Sequence, residues 1–164
     1  MATRFGILTI SDRSSRGERP DTSGPILEEL VLAQGEVVVK KDIVPDDLET
    51  LQEKLMSWAD SGEVDVILTT GGTGFSPRDI TPEATRAVIE REAPGLAEAM
   101  RATSLHSTPH AMLSRAITGI RAQTLIVNLP GSPKAAKENF QVVQEVLRHA
   151  VQLLHEDPDA EAGH

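Results

Sequence analysis

The chain has 164 residues, the size of one domain with a single sizeable core. Sixteen Lys and Arg against 25 Asp and Glu give a formal net charge of −9, a repulsive average field for nucleic acid or an anionic membrane. Cys is absent, which excludes disulfides, thiolate catalysis and Cys-ligated metal sites, and only 2% of residues are aromatic, which leaves few rings to stack on bases. No apolar run approaches the roughly twenty residues that cross a bilayer, so the expectation is a cytoplasmic protein with no nucleic-acid or membrane partner. A small anionic ligand stays compatible with this charge if basic residues converge on one pocket.

In chain order, Phe5 to Ile10 reads as a first strand that ends in the polar loop Ser11 to Asp21. Ser23, Gly24 and Pro25 open an amphipathic helix with Ile26, Leu27, Leu30 and Val31 on one face, ending near Gly35. Val37-Val38-Val39 begins a second strand that runs to Val44 and stops at Pro45-Asp46-Asp47. Leu48, Leu51, Leu55 and Trp58-Ala59 then share a helical face. Val64, Val66, Ile67 and Leu68 mark a third, buried strand. From Thr81-Pro82, with Thr81 as N-cap and Pro82 at the first helical position, a helix is predicted to about Glu92, and Pro94 starts another toward Ser104-Leu105. The segment 106–118 has weak periodicity and reads as loop with at most a short strand. Thr124 to Leu129 is a clear strand, stopped by Pro130-Gly131-Ser132-Pro133. Ser132 is placed to cap a long closing helix carrying Phe140, Val143, Leu147, Val151 and Leu154. Residues 1–155 thus form one domain, and residues 156–164 read as an acidic, disordered tail.

Strands that are apolar on both faces and alternate with helices imply an α/β three-layer sandwich with a mostly parallel central sheet. Ligands of such sheets sit outside the carboxyl ends of the strands. Four loops leave those ends: the ones at Asp12-Arg13, at Asp46, at Thr69 to Asp79, and at Asn128 to Ser132. The third carries the strongest signal. Thr70-Gly71-Gly72-Thr73-Gly74 lies between a strand and a helix, where glycines let bare backbone N–H groups approach a phosphate. Arg78 adds a cation and Asp79 a carboxylate able to hold a magnesium ion. The order Gly71-Gly72-Thr73-Gly74 is not G-x-G-x-x-G and follows the third strand, which argues against a nicotinamide-dependent oxidoreductase.

Local structure offers competing roles for several of these residues. Asp46 precedes Asp47-Leu48 and could cap that helix; Asp79 could close a turn before Thr81-Pro82; Ser132 needs only its capping role, and Ser104 only ends a helix. His106, His110 and His149 have no metal-ligand spacing. Lys40-Lys41 reads as a solvated strand end, and Met56 with Trp58 as core or subunit interface.

Taken together, Ser11-Asp12-Arg13, Val44-Pro45-Asp46, Thr69 to Asp79 with Thr81-Pro82-Glu83-Ala84-Thr85, Ser114-Arg115 and Asn128 to Lys134 resemble the MogA/MoaB family of molybdenum-cofactor biosynthesis, to which the G domain of gephyrin belongs. The resemblance runs from Phe5 to about Leu154. It implies a homotrimer in which each subunit adenylylates molybdopterin: the terminal phosphate of the pterin attacks the α-phosphorus of ATP, with Mg2+, giving adenylyl-molybdopterin and pyrophosphate. The two aspartates the family uses map onto Asp46 and Asp79, as catalytic and metal-holding residues. By the same likeness Thr70, Gly71, Gly72, Thr73, Gly74 and Arg78 cradle phosphates. Ser11, Asp12, Arg13, Ser104, Ser114 and Arg115 shape the pterin side, and Pro130, Gly131, Ser132 and Lys134 the nucleotide side. A molybdate-inserting protein is the implied downstream partner. The alternative is a non-catalytic molybdopterin-binding carrier or scaffold, against which two acidic groups facing a polyphosphate argue, since like charges cost binding unless a cation intervenes.

Overall fold

In the computed structural model, which describes residues 1–163, the chain runs β1 (Arg4–Ile10), α1 (Asp12–Ser15), α2 (Ser23–Ala33), β2 (Val37–Val44), α3 (Leu48–Asp60), β3 (Val66–Thr70), α4 (Thr81–Val88), β4 (Arg91–Glu92), α5 (Pro94–Leu105), β5 (Thr118–Arg121), β6 (Thr124–Leu129) and α6 (Pro133–Leu154). Short 3-10 turns occupy Pro109–Leu113 and Pro158–Gly163. The strands form one six-stranded sheet in the order β2-β1-β3-β6-β5-β4. Its first four strands are parallel, and β5 and β4 extend it antiparallel.

Alternation along the central strands divides the core in two, because successive strand residues point to opposite faces. Phe5, Ile7, Val66, Leu68, Leu125 and Val127 face α2, α5 and α6, where Leu27, Met100, Phe140 and Leu147 pack against them. Leu8, Ile10, Ile67 and Ile126 face α3 and α4 through Leu51, Leu55, Trp58 and Val88. Helices therefore cover both faces, and the sandwich has three layers. Phe5 and Phe140 meet edge to face, with ring centroids 6.4 Å apart. Trp58 belongs to the core, whereas the edge strand β2 is largely exposed and its Lys40 and Lys41 pair with Glu63 and Glu28.

Four local expectations change. Residues 12–15 within the first polar loop form a helical turn, with the Ser11 side chain accepting the Ser14 N–H. The helix predicted to run to Glu92 stops at Val88, because Arg91–Glu92 pairs instead with Gly119 and Ile120 of β5. Thr81 does not cap that helix; it lies inside it, and its hydroxyl donates to the Gly71 carbonyl at 2.8 Å. Beyond Leu154, a stretch expected to be disordered carries the turn Pro158–Gly163, with Ala160 buried; His164 lies outside the described residues. Among the described residues no helix is long and apolar enough to cross a membrane.

A buried ionic group fastens the sheet at the end opposite the ligand loops. Asp65, with a side chain only 5% exposed, accepts the Arg4 backbone N–H at 2.8 Å and the Arg4 guanidinium at 3.1 and 2.8 Å, and His155 at the end of α6 stands 3.2 Å away. Burial alone raises the pKa of this carboxyl, but the hydrogen bonds and charge of Arg4 outweigh it and hold Asp65 below its ordinary value. A carboxylate depressed in the fold adds stability above its unfolded pKa and loses it as pH falls through the folded one. Asp65→Asn is therefore expected to cost about 1–2 kcal/mol at pH 7, discounted from a fully buried pair because Arg4 is partly exposed. In urea titrations of both proteins, the gap should narrow below about pH 4, near the unfolded Asp pKa; a gap independent of pH would show that Asp65 acts through packing alone.

Candidate active site

The carboxyl ends of β1, β2, β3 and β6 open on one side of the sheet, where β1 has β2 on one flank and β3 on the other. Chain connections diverge at such a switch point and leave a crevice. Here it is a cavity of about 380 Å³ whose wall includes Ser11, Ser14, Arg19, Asp21, Ser23, Asp46, Thr70, Gly71, Gly72, Asp79, Gly131 and Ser132. All four loops singled out by sequence contribute to it.

The floor depends on backbone approach that admits no side chain. Gly71 has φ of +106°, and a Cβ there would lie 2.4 Å from the Ile10 carbonyl oxygen. Gly72 has φ of +70°, and a Cβ would stand 2.3 Å from Thr81 Oγ1 and 3.4 Å from an Asp46 carboxylate oxygen. The turn is tied on every side: Gly71 N–H donates to the Leu129 carbonyl, Thr81 N–H to the Gly72 carbonyl, and the Thr70 hydroxyl to the Pro130 carbonyl.

Asp46 and Asp79 reach this cavity from different loops. Asp47, not Asp46, caps α3: its side chain accepts the Thr50 N–H at 3.0 Å. Asp46 is thereby left to the site, where it exchanges hydrogen bonds with Asp12. The Asp12 N–H donates to Asp46 Oδ2 at 2.9 Å, and the Asp46 N–H to Asp12 Oδ1 at 3.0 Å. Burial, with the charges of Asp12 and Asp79 adding to it, pushes the Asp46 carboxyl above its ordinary pKa. Asp12 moves the other way: burial opposes the shift, but the Asp46 N–H and the Arg78 guanidinium outweigh it. Asp79 closes a turn, its Oδ2 accepting the Ser76 N–H at 3.0 Å while its own N–H donates to the Ser76 carbonyl.

Two helix N-termini offset these acids. Ser132, whose side chain accepts the Ala135 N–H, starts the 22-residue α6 at the cavity wall, and Thr22 and Ser23 start the 11-residue α2 there. Both present their positive ends, which favours an anion. Arg19, Asp21 and Ser23 were not anticipated as site residues. The Asp21 carboxylate accepts the Gly24 N–H and the Thr9 hydroxyl, and the only signal in the sequence was a polar run before a helix.

A second cavity of about 300 Å³ lies across the glycine-rich loop, walled by Thr73 and Gly74 and by Arg101, Ser104, His110, Ser114, Pro130 and Asn139. Its polar groups are mostly neutral, and Asn139 Nδ2 donates to Ser104 Oγ at 3.1 Å. The pterin-side set expected from sequence is thus divided, with Ser11 in the first cavity and Ser104 and Ser114 in the second. Pro130 faces the second, Gly131 and Ser132 the first.

Other predicted contacts line neither cavity. Arg13 is exposed on α1, and Lys134 is 85% exposed with its ammonium 3.9 Å from Glu138. Arg78 forks onto Asp12 with two hydrogen bonds of 3.0 and 2.9 Å. Arg115 lies against the glycine-rich loop, donating to the carbonyls of Gly74 and Asp79. Asn128 is fully buried and spent structurally, donating to Thr69 and Thr85 and accepting from the Ile117 N–H.

Comparison with known proteins agrees with this geometry. Residues 6–149 match the family described as a probable molybdopterin binding domain. The molybdopterin adenylyltransferases of Escherichia coli K12 and Helicobacter pylori J99 are 42% and 40% identical to the chain, over 90% and 92% of it and 77% and 86% of their own lengths. The molybdenum cofactor synthesis protein cinnamon of Drosophila melanogaster is 49% identical over 93% of the chain, which spans only 26% of that longer protein. Among solved structures, the molybdopterin biosynthesis enzyme MoaB of Thermus thermophilus superposes with a TM-score of 0.89 at 49% identity, covering 95% of this chain and 98% of that one. Its sequence and its fold agree, and the chain belongs to the molybdopterin-binding-domain family of molybdenum-cofactor biosynthesis.

Proposed function

We propose that this protein is a molybdopterin adenylyltransferase. The observation that carries the reading is the meeting of Asp46 and Asp79 with a glycine-rich turn in one cavity, after Asp47 has taken over the capping role that would have explained Asp46 away. The adenylyltransferases of E. coli and H. pylori support it, since the chain spans most of their length.

In this reading the triphosphate of ATP lies in the first cavity, where the Gly72 amide and the N-termini of α2 and α6 meet its charge, while Thr73 and Gly74 face the second cavity. The pterin lies in the second cavity, among Ser104, Ser114 and Asn139, with its phosphate reaching over the shared loop. An oxygen of that phosphate forms the new bond to the α-phosphorus, the α–β bridging P–O bond breaks, and pyrophosphate leaves with the bridging oxygen. Proximity and charge stabilisation account for such a transfer, because the protein has little covalent chemistry to perform.

Asp46 and Asp79 are the residues we assign to Mg2+. The donor set fits: the hard carboxylates of Asp46 and Asp79 share the cavity, with Asp21 also in its wall. Magnesium commonly binds through one or two carboxylates completed by substrate phosphates. Bound there, it supplies neutralisation of the phosphoryl charge. Burial, with the charges of Asp12 and Asp79 adding to it, raises the Asp46 pKa, and a cation bound beside it would favour the charged form.

The assembly we infer is a homotrimer, on the family resemblance. Exposed Val146 and Leu153 on α6 flank an apolar groove with Leu96 and Ile120, a surface that subunit contact would cover. The cytoplasm is the compartment we infer from the lack of Cys, and a molybdate-inserting protein remains the expected consumer of the product.

Pyrophosphate release from MgATP should require molybdopterin, and Asp79→Asn should lower it at least about 100-fold, the scale of losing a group that stabilises transition-state charge. Molybdopterin affinity should stay within about threefold, because the variant keeps the turn acceptor and removes only charge. Tight molybdopterin binding by the wild-type protein without pyrophosphate release would assign it the carrier role instead. Sedimentation at micromolar concentration should return a mass of three subunits; a clean monomer contradicts the assembly.

A further inference from the structure

We propose that Arg115 is a positioning residue that clamps the glycine-rich loop and Asp79, and not a ligand of the substrate; the proposal rests on the adenylyl-transfer reading of the site. Cations near a phosphate cavity invite assignment to the anion, yet this one is already engaged. Its backbone N–H donates to the Thr73 carbonyl at 2.8 Å. Its Nε donates to the Gly74 carbonyl at 2.7 Å and its Nη2 to the Asp79 carbonyl at 2.8 Å. Its Nη1 lies 3.0 and 2.7 Å from the two carboxylate oxygens of Glu83 on the first turn of α4.

One planar group therefore joins the two ends of the segment from Gly74 to Asp79 and fixes both to a helix. That segment needs such a tie. Phe75 at its tip is 67% exposed, so apolar packing does little to hold it; its internal bonds are the reciprocal pair between Ser76 and Asp79 and a long 3.5 Å contact from the Arg78 N–H to Ser76 Oγ, and its other side-chain anchor is the Arg78–Asp12 pair, whose guanidinium is largely exposed. With the Asp79 carbonyl held by Arg115 and its carboxylate held by the Ser76 N–H, the aspartate has little freedom to leave the cavity. A lysine cannot reproduce the arrangement, because a point charge on a flexible stem lacks the fork that reaches two carbonyls and a carboxylate together.

The test uses the full chain with Arg115→Lys and Arg115→Gln. Hydrogen exchange at the amides of Ser76, Asp79 and Thr81 should accelerate at least about tenfold in both variants, since local opening sets protection there. Turnover in pyrophosphate release should fall about tenfold to a hundredfold, the scale expected when a reacting group is misplaced by about an ångström. The KM and Kd for molybdopterin should remain within about threefold, as befits a residue that does not touch it. A molybdopterin affinity reduced tenfold or more with unchanged loop exchange would make Arg115 a substrate ligand and overturn the proposal, as would wild-type turnover in the Lys variant. The two readings fail separately: absence of pyrophosphate release from the wild-type protein removes the reaction, while unchanged exchange removes the clamp whatever the reaction is.

Discussion

Three chain segments converge tightly at the carboxyl edge of the sheet, two of them more closely than a side chain permits, and the site depends on that convergence. Gly71 passes so near the Ile10 carbonyl that a Cβ would overlap it, and a Cβ at Gly131 would stand 3.2 Å from the Gly71 Cα. The ends of β1, β3 and β6 are thereby drawn into one backbone floor. Register carries the constraint outward, because Thr70 aligns with Thr9 on one side and with Leu129 on the other. Placing bare amides beside a phosphate requires this kind of packing, which only glycine at positive φ allows without strain. The apolar halves of the core hold the strands in that register, so packing under the sheet and chemistry at its edge are coupled.

The electrostatics of the crevice are a balance between opposed charges. A chain of net charge −9 places three carboxylates, those of Asp21, Asp46 and Asp79, around the cavity proposed for a polyphosphate. The positive ends of α2 and α6 and the loop amides counter them locally, and local potential rather than net charge governs binding in a cleft. Asp12 has a different part. Its reciprocal hydrogen bonds with Asp46 and its pairing with Arg78 link the loops after β1, β2 and β3. Burial first, with the neighbouring carboxylates adding to it, raises the pKa of Asp46, while the Asp46 N–H and Arg78 hold Asp12 below its ordinary value. The glycine-rich loop also separates two cavities of different character, one acidic and one largely neutral, which suits the two substrates proposed to meet there.

Much of this was legible in the order of residues. Apolar runs at 5–10, 66–70 and 124–129 marked the central strands, and turn chemistry after each marked the ligand edge, since a strand buried on both faces can be little else at that length. Asp46 and Asp79, which the fold brings to one cavity, were singled out by the family motif. Capping could not be settled that way, because Asp46 and Asp47 are adjacent and both chemically able to cap; backbone geometry gave the task to Asp47. Thr81-Pro82 likewise looked like a cap and became a hydroxyl bond to Gly71 once the helix began a residue earlier than its signal. The pairing of Arg91–Glu92 was invisible locally, as two charged residues carry no strand periodicity.

Composition, periodicity and motif order were enough to determine the fold class, the position of the ligand edge and the family, because each is written in local residue patterns that survive without coordinates. Only the tertiary structure decided what the cations do. Arg78 pairs with a residue 66 positions away, Arg115 holds carbonyls 36 and 41 positions away, and Lys134 points to solvent. A guanidinium is equally suited to a phosphate, a carboxylate or a backbone carbonyl, and its choice rests on which of them the fold brings within 3 Å.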